Sequence, residues 1–150
     1  MFDAIAEAAA AESPLWGEAL RPAEEREHVA VFSTLAAEAF GVGLETIYEG
    51  YLVHYGRSRL FAPADQDTAL LLGDYLYAHG LVRIAETGDV KAVADLAELI
   101  SLCAALRADG GDGDGEAWAR TSSSLGDIDS DPVGARAVED ALATHARFVG

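Results

Sequence analysis

The side chains best suited to chemistry in this 150-residue sequence lie between residues 51 and 77. His54 stands beside the aromatic run Tyr48, Tyr51 and Tyr55, which sets an imidazole that can exchange a proton near neutral pH next to phenols that donate hydrogen bonds. Such a histidine either lines a pocket or belongs to the core. Arg57 and Arg59 flank Ser58 immediately afterwards, and guanidiniums on a loop that follows a helix can grip a diphosphate or a carboxylate through bidentate contacts. In a chain this acidic, pairing with neighbouring carboxylates is the alternative. Asp74 shares its helical face with Leu70, Leu71, Tyr77, Ala78 and Leu81. If that face is buried, the carboxylate needs a partner: it either faces a cavity or is bonded to a tyrosine, an arginine or a backbone N–H. Tyr51, His54, Tyr55, Arg57, Arg59, Asp74 and Tyr77 are therefore the candidate ligand-binding residues. None is assigned a catalytic role, and neither a metal nor a cofactor is expected.

The remaining polar groups read as surface. His79, Arg83 and Glu86 fall on one stripe, which favourable three- and four-residue pairings would keep solvated. His28 carries no assignment, and His145 is expected to be exposed. Asp112, Asp114 and Glu116 alternate as calcium-loop ligands do, but Ala117 stands where such a loop requires glycine, and Ser123 where it requires glutamate. Asp127, Asp129 and Asp131 fail in the same way, with Pro132 at the glycine position. Both segments read as solvated loops.

The elements that must position these residues are helices. Hydrophobic residues make up 51% of the chain, with alanine and leucine dominant and β-branched runs few, which predicts an all-α helical bundle. A helix is expected over residues 2–12, ending before Ser13-Pro14. Another is expected from Pro22 to Phe40, with Glu24, Glu25 and Glu27 at its positive end and Gly41 and Gly43 beyond it. Leu44, Ile47, Tyr48, Tyr51 and Tyr55 recur at three- and four-residue spacing, so residues 44–55 read as an amphipathic helix with Glu45 and Glu49 on the opposite side. Residues 56–64 read as a loop, and residues 67–86 as the helix carrying Asp74. Asp89 caps a helix over 90–108 with Val93, Leu96, Ala97, Ile100 and Ala104 inward. The run DGGDGDG at 109–115 divides a helical domain, residues 1–108, from a flexible acidic linker and helical appendage, residues 109–150. The appendage holds a short helix near Trp118 and a last one over 133–148.

Charge excludes some partners. The formal charge is −16, from 26 acidic and 10 basic residues, which disfavours nucleic acid and anionic membrane surfaces. The lone Cys103 forbids an intramolecular disulfide and fits a cytoplasmic location. The first eleven residues contain Asp3 and Glu7 and lack the basic start of a signal peptide, and no apolar run approaches the roughly 20 residues of a membrane span.

Several segments together resemble the trans-polyprenyl diphosphate synthases. The strongest is Leu71-Leu-Gly-Asp-Tyr-Leu-Tyr-Ala78 followed by Ile84-Ala-Glu-Thr-Gly-Asp89, which is similar to the family's LxGDxLxAxA helix and the turn after it. Glu49 through Leu52-Val-His54 resembles the helix leading into the family's first aspartate-rich motif, LIHDDxxD, and Leu35-Ala-Ala-Glu-Ala-Phe-Gly41 the end of its second helix. Leu20-Arg-Pro22 looks like the tail of its basic GKRLRP segment, with a longer spacer. The resemblance covers residues 35–106, under half of a synthase, and implies the N-terminal half of the isoprenoid synthase fold. Where the family places HDDxxD this chain has His54-Tyr55-Gly56-Arg57-Ser58-Arg59, without the carboxylates that hold magnesium against an allylic diphosphate.

The resemblance and the missing motif together imply a non-catalytic protein, a small subunit or pseudoenzyme that pairs with a protein partner such as a prenyl diphosphate synthase. Two alternatives stand beside it: a module holding an isoprenoid or other apolar ligand between helices, and an unorthodox prenyl diphosphate enzyme using Asp74, His54 and the two arginines. Half of a synthase fold would leave apolar faces uncovered, so a protein partner or a homo-oligomer is expected in each case.

Overall fold

Residues 41–55 form the axis of the molecule. In the computed structural model, which describes residues 1–126 and 132–149, α3 (Gly41–Tyr55) has every residue from 43 to 52 buried. A helix enclosed on all sides must have neighbours all round it. These are α1 (Phe2–Glu12), α4 (Gln66–Ala85), α5 (Val90–Ala108), α6 (Asp114–Ser124) and α7 (Pro132–Val149), with α2 (Pro14–Ala19) packed against α1 and three short 3-10 turns between residues 23 and 40. Among the described residues there is no strand, only a single antiparallel bridge between Leu20 and Phe61. The all-α bundle expected from composition is what forms, and more than half of the chain is helical.

Local chemistry sets the helix ends. Ser13 caps α2 and Pro14 opens it, while the Asp65 and Asp89 side chains accept the N–H of Thr68 and Ala92 at the starts of α4 and α5. Gly88, at φ 84°, makes the left-handed turn between α4 and α5 that a side chain would strain.

The segment 20–40 is not the long helix its composition suggests. Arg21 donates its backbone N–H to Leu60 O and Ala62 donates to Ala19 O, so the chain pairs in extended form with residues 60–62. Glu27 N–H goes to Arg59 O, and Val31 and Ser33 give theirs to the Glu45 carboxylate. Donors committed to distant acceptors are lost to a helix ladder. Three 3-10 turns remain.

Two apolar clusters share α3 and α4. One joins Phe2, Ile5, Ala9 and Ala19 to Leu60, Phe61, Leu72 and Leu76. The larger joins Phe32, Leu44, Tyr48 and Tyr51 to Leu96, Leu99 and Cys103, and also to Trp118, Leu125, Ala141 and Phe148. Residues beyond 108 thus complete the main core, and the division expected there is not a packing boundary. Within the run 109–115 the irregular residues are 109–113, because α6 begins at Asp114. In α5 the buried positions are Ala92, Leu96, Leu99 and Cys103, with Val93 and Ile100 half-buried, while Ala97 and Ala104 face outward.

Candidate functional site

The two arginines do not converge. Arg59 is fully buried, donating from Nε to Glu49 Oε2 at 2.8 Å and from Nη1 to Glu45 Oε2 at 2.7 Å and to Val29 O at 2.6 Å. Its guanidinium sits 4.9 Å from the Phe2 ring centre and 5.1 Å from that of Tyr48. Glu49 also accepts from the Ser58 hydroxyl and Leu60 N–H. Burial opposes the charge on Arg59, but Glu49 and Glu45 more than offset it and hold the group protonated. This is an internal clasp that ties residues 29–33 and 58–61 to α3. Glu45 and Glu49, expected on the outer side of their helix, are therefore inside it. Arg57 stays at the surface, donating to Glu27 and lying 4.9 Å over the Phe148 ring.

His54, Tyr55, Asp74 and Tyr77 do meet, between α3 and α4. The His54 ring centre lies 5.1 Å from that of Tyr77 and 5.7 Å from that of Tyr55. Its Nε2 is 3.2 Å from Asp74 Oδ1, close enough for an ion pair though not aligned as a hydrogen bond. Beside this group opens a cleft of about 520 Å³ lined by Val53, His54, Tyr55, Gln66, Asp67, Ala69 and Leu70.

The Asp74 side chain is 66% exposed, which reverses the orientation expected for its helix. The buried face of α4 is Leu72, Gly73, Leu76, Gly80 and Ile84. Gly73 and Gly80 cause this, because they let α4 press its backbone onto α3: a Cβ on Gly73 would fall 2.4 Å from His54 Nε2, and one on Gly80 2.4 Å from Ile47 Cγ1. Leu70, Leu71 and Val82 are consequently turned outward, 56%, 57% and 54% exposed. With Ala78 they form an apolar outer face on α4 that no part of the described chain covers.

Tyr51 belongs to a different constellation. Its hydroxyl donates to Asp114 Oδ2 at 2.6 Å and accepts from Arg107 Nη2 at 2.9 Å, while Arg107 Nε donates to the same Oδ2 at 2.7 Å. Alongside, the Tyr48 hydroxyl and His145 Nδ1 are 2.8 Å apart. Asp114 and His145 are buried, against the expectation that one lay in a solvated loop and the other at the surface. Burial raises the Tyr48 and Tyr51 phenols and lowers the His145 imidazole, so all three stay neutral near pH 7. The neighbouring Cys103 thiol is pushed up to about 12 by burial, which leaves negligible thiolate for nucleophilic chemistry. Next to this network lies a cleft of about 380 Å³. Arg107, Asp114 and His145 come from three separate helices and share no periodicity. Only the glycine-rich turn at 110–113, which folds α6 back onto α5, hints at their meeting.

Among the described residues, no grouping of His, Cys, Asp or Glu could hold a metal ion, and no helix is long and apolar enough to cross a membrane. Asp127, Asp129 and Asp131 lie outside the described residues. Comparison with protein-family models, with curated proteins and with solved structures finds no match to this chain.

Proposed function

We propose that the chain is a non-catalytic subunit that assembles with a helical protein partner through the outer face of α4. The carrying observation is that face itself: Leu70, Leu71 and Val82 are each more than half exposed, interrupted in their midst by Asp74 alone. Large apolar side chains grouped on one helix face cost solubility unless something covers them. Ala78 at its centre allows a second helix to approach closely. A second copy is the default occupant. The segments that resemble a trans-polyprenyl diphosphate synthase make a full-length synthase the first other partner to try, in the cytoplasmic setting that the lone Cys103 suits.

The arginines support a non-catalytic role, since Arg59 is spent on Glu45 and Glu49 and Arg57 on Glu27, leaving neither to grip a diphosphate. The test compares the wild type with a Leu71→Glu/Val82→Glu double variant by sedimentation velocity and native mass spectrometry, alone and with a full-length synthase. Complex formation that the double variant loses, with its circular dichroism unchanged, is the expected result. A chain that stays monomeric in both settings, or a complex indifferent to the substitutions, overturns the proposal.

A second reading, a module for an isoprenoid or other apolar ligand, draws on the roughly 520 Å³ cleft walled by Val53, Tyr55, Ala69 and Leu70. Solvent extraction of the purified protein followed by mass spectrometry separates the two, because only this reading requires a lipid in stoichiometric amount.

A further inference from the structure

Asp74 is the charge that interrupts the apolar outer face of α4, and the imidazole of His54 on α3 lies against it. The two differ in their access to water: the Asp74 side chain is 66% exposed and that of His54 11%. His54 Nε2 stands 3.2 Å from Asp74 Oδ1, is shielded from water and has no hydrogen-bond partner among the described residues. The helix contact holds the ring there. A Cβ on Gly73, the residue before Asp74, would fall 2.4 Å from that nitrogen, so the close approach of the two backbones is what leaves room for it.

An imidazole is the side chain whose charge changes near neutral pH, and the groups around His54 do not share that property. Tyr77 of α4 and Tyr55 of its own helix have ring centres 5.1 and 5.7 Å away, and burial raises both phenols, so they stay neutral. The Cys103 thiol of α5 is neutral for the same reason. Arg107 of α5, 5.3 Å over the Tyr55 ring, is paired with Asp114 of α6. Asp67, which lines the cleft beside His54, forms no ion pair among the described residues. Within ion-pair distance of Asp74, the described residues offer His54 and no other base.

Covering the outer face of α4 would take Asp74 out of water. A carboxylate desolvated alone is costly, whereas beside an imidazolium it is one half of an ion pair. We infer that His54 and Asp74 make assembly through the α4 outer face proton-linked, so that two copies pair more tightly once the imidazole has taken up a proton. The inference rests on that face being the assembly surface. Linkage is reciprocal, so assembly in turn favours uptake of the proton.

Sedimentation velocity over a dilution series tests it, with the self-association constant measured between about pH 8 and pH 5.5 for the wild type, Asp74→Asn and His54→Gln. Raised, constant salt screens the repulsion between acidic copies. What remains of that repulsion, and the titration of His28, His79 and His145, is common to all three proteins. Association of the wild type should strengthen as pH falls, more steeply than that of Asp74→Asn by a factor approaching tenfold per pH unit, the limit for one linked proton. Asp74→Asn has no charge to balance, so it should be the tighter of the two at the alkaline end. His54→Gln should stay weak throughout. Because Asp74 is exposed, its asparagine variant keeps the fold, and if His54→Gln loosens the α3–α4 contact, the comparison of wild type with Asp74→Asn decides. Parallel curves for those two, or a His54→Gln protein with the wild-type slope, overturn the inference and leave the assembly surface standing. No association at any pH, or association that Leu71→Glu/Val82→Glu leaves intact, overturns the surface and the inference together.

Discussion

Gly50 of α3 and Gly73 of α4 meet so closely that a Cβ built on Gly50 would lie 2.9 Å from the carbonyl oxygen of Gly73. Gly43 and Gly80 repeat the relationship one heptad away, where a Cβ on Gly80 would stand 3.0 Å from Gly43 O. The two helices run antiparallel, joined along glycine-lined backbone rather than through interlocking side chains, and this contact decides which way every other residue of α4 points.

Gly50→Ala therefore sets two effects against each other. Alanine gains about 0.5–1 kcal/mol in helix propensity, but the new methyl meets Gly73 O at 2.9 Å, the Tyr77 ring at 3.0 Å and Leu76 Cβ at 3.1 Å. A backbone oxygen cannot step aside as a flexible side chain can, so overpacking wins and the net loss should be about 1–3 kcal/mol. Gly17→Ala is the control, because its nearest neighbour would be Ala10 Cβ at an ordinary 3.7 Å. Urea denaturation should show that variant slightly more stable than the wild type. A Gly50→Ala protein as stable as Gly17→Ala would contradict the close contact.

Arg59→Met should be among the most damaging single changes in the chain. It leaves Glu45 and Glu49, both fully buried, facing each other without their cation, at a cost of about 3–5 kcal/mol. Arg59→Lys should recover only part of this, since one ammonium cannot reproduce the separate Nε and Nη1 contacts. The informative triple variant adds Glu45→Gln and Glu49→Gln to Arg59→Met. Most of the lost stability should return if the penalty comes from uncompensated charge, and none if it comes from lost packing over Phe2 and Tyr48.

What could be read from the amino-acid order is the set of features that act on their nearest neighbours. Residues 2–12 and 90–108 are helices with the expected limits, because Ser13-Pro14 stops one and Gly88-Asp89 starts the other through bonds within three residues. The direction in which a helix faces is a different matter. A glycine counts for nothing in an apolar pattern, yet Gly73 and Gly80 choose the buried side of α4 and turn Leu70, Leu71 and Asp74 outward. Glu45 and Glu49 resemble the polar side of an ordinary surface helix until Arg59 arrives from across a loop. Their carboxylates then draw in the N–H groups of Val31, Ser33 and Leu60, which costs residues 22–40 their helix. His54, Asp74 and Tyr77 were identifiable as a group because α3 and α4 are adjacent in the chain. Asp114 and His145 were not, since they reach Tyr51 and Tyr48 across sequence separations of 63 and 97 residues.

His145 gives the protein a pH dependence with a definite sign. Burial lowers its pKa, which the charges on Asp114 and Glu116 only partly counteract and the charge on Arg107 reinforces. Unfolding restores an ordinary imidazole that takes up a proton near pH 6.5. The unfolded state then binds more protons, so stability is complete above about pH 6.5 and declines below it, by up to about 1.4 kcal/mol per pH unit. In His145→Gln, which keeps a hydrogen-bonding side chain near the Tyr48 hydroxyl, the decline between about pH 6.5 and 5.5 should be shallower. His79, also lowered by burial, contributes equally to both proteins. Parallel stability curves for the two would remove His145 as the cause.

The C-terminal helices are part of the core rather than an addition to it. Trp118 is 1% exposed, stacked 5.6 Å from the Phe32 ring and set edge-on 5.1 Å from Tyr48, and Phe148 is 2% exposed in the same cluster. Removing α6 and α7 would take both aromatics, with Leu125 and Ala141, out of the main core and strip the cover from Tyr48 and Tyr51. Loss of one buried tryptophan alone costs about 3–5 kcal/mol, and small domains have only about 5–15 kcal/mol to lose. A fragment of residues 1–108 should therefore lack a cooperative thermal transition and bind a hydrophobic dye such as ANS, even though α1 to α5 all lie within it. Trp118→Ala in the full chain should melt cooperatively at a lower temperature. A 1–108 fragment that unfolds with the cooperativity of the full chain would instead make residues 109–150 an appendage on a self-sufficient domain, and the packing of Trp118 against Phe32 would then be dispensable to the fold.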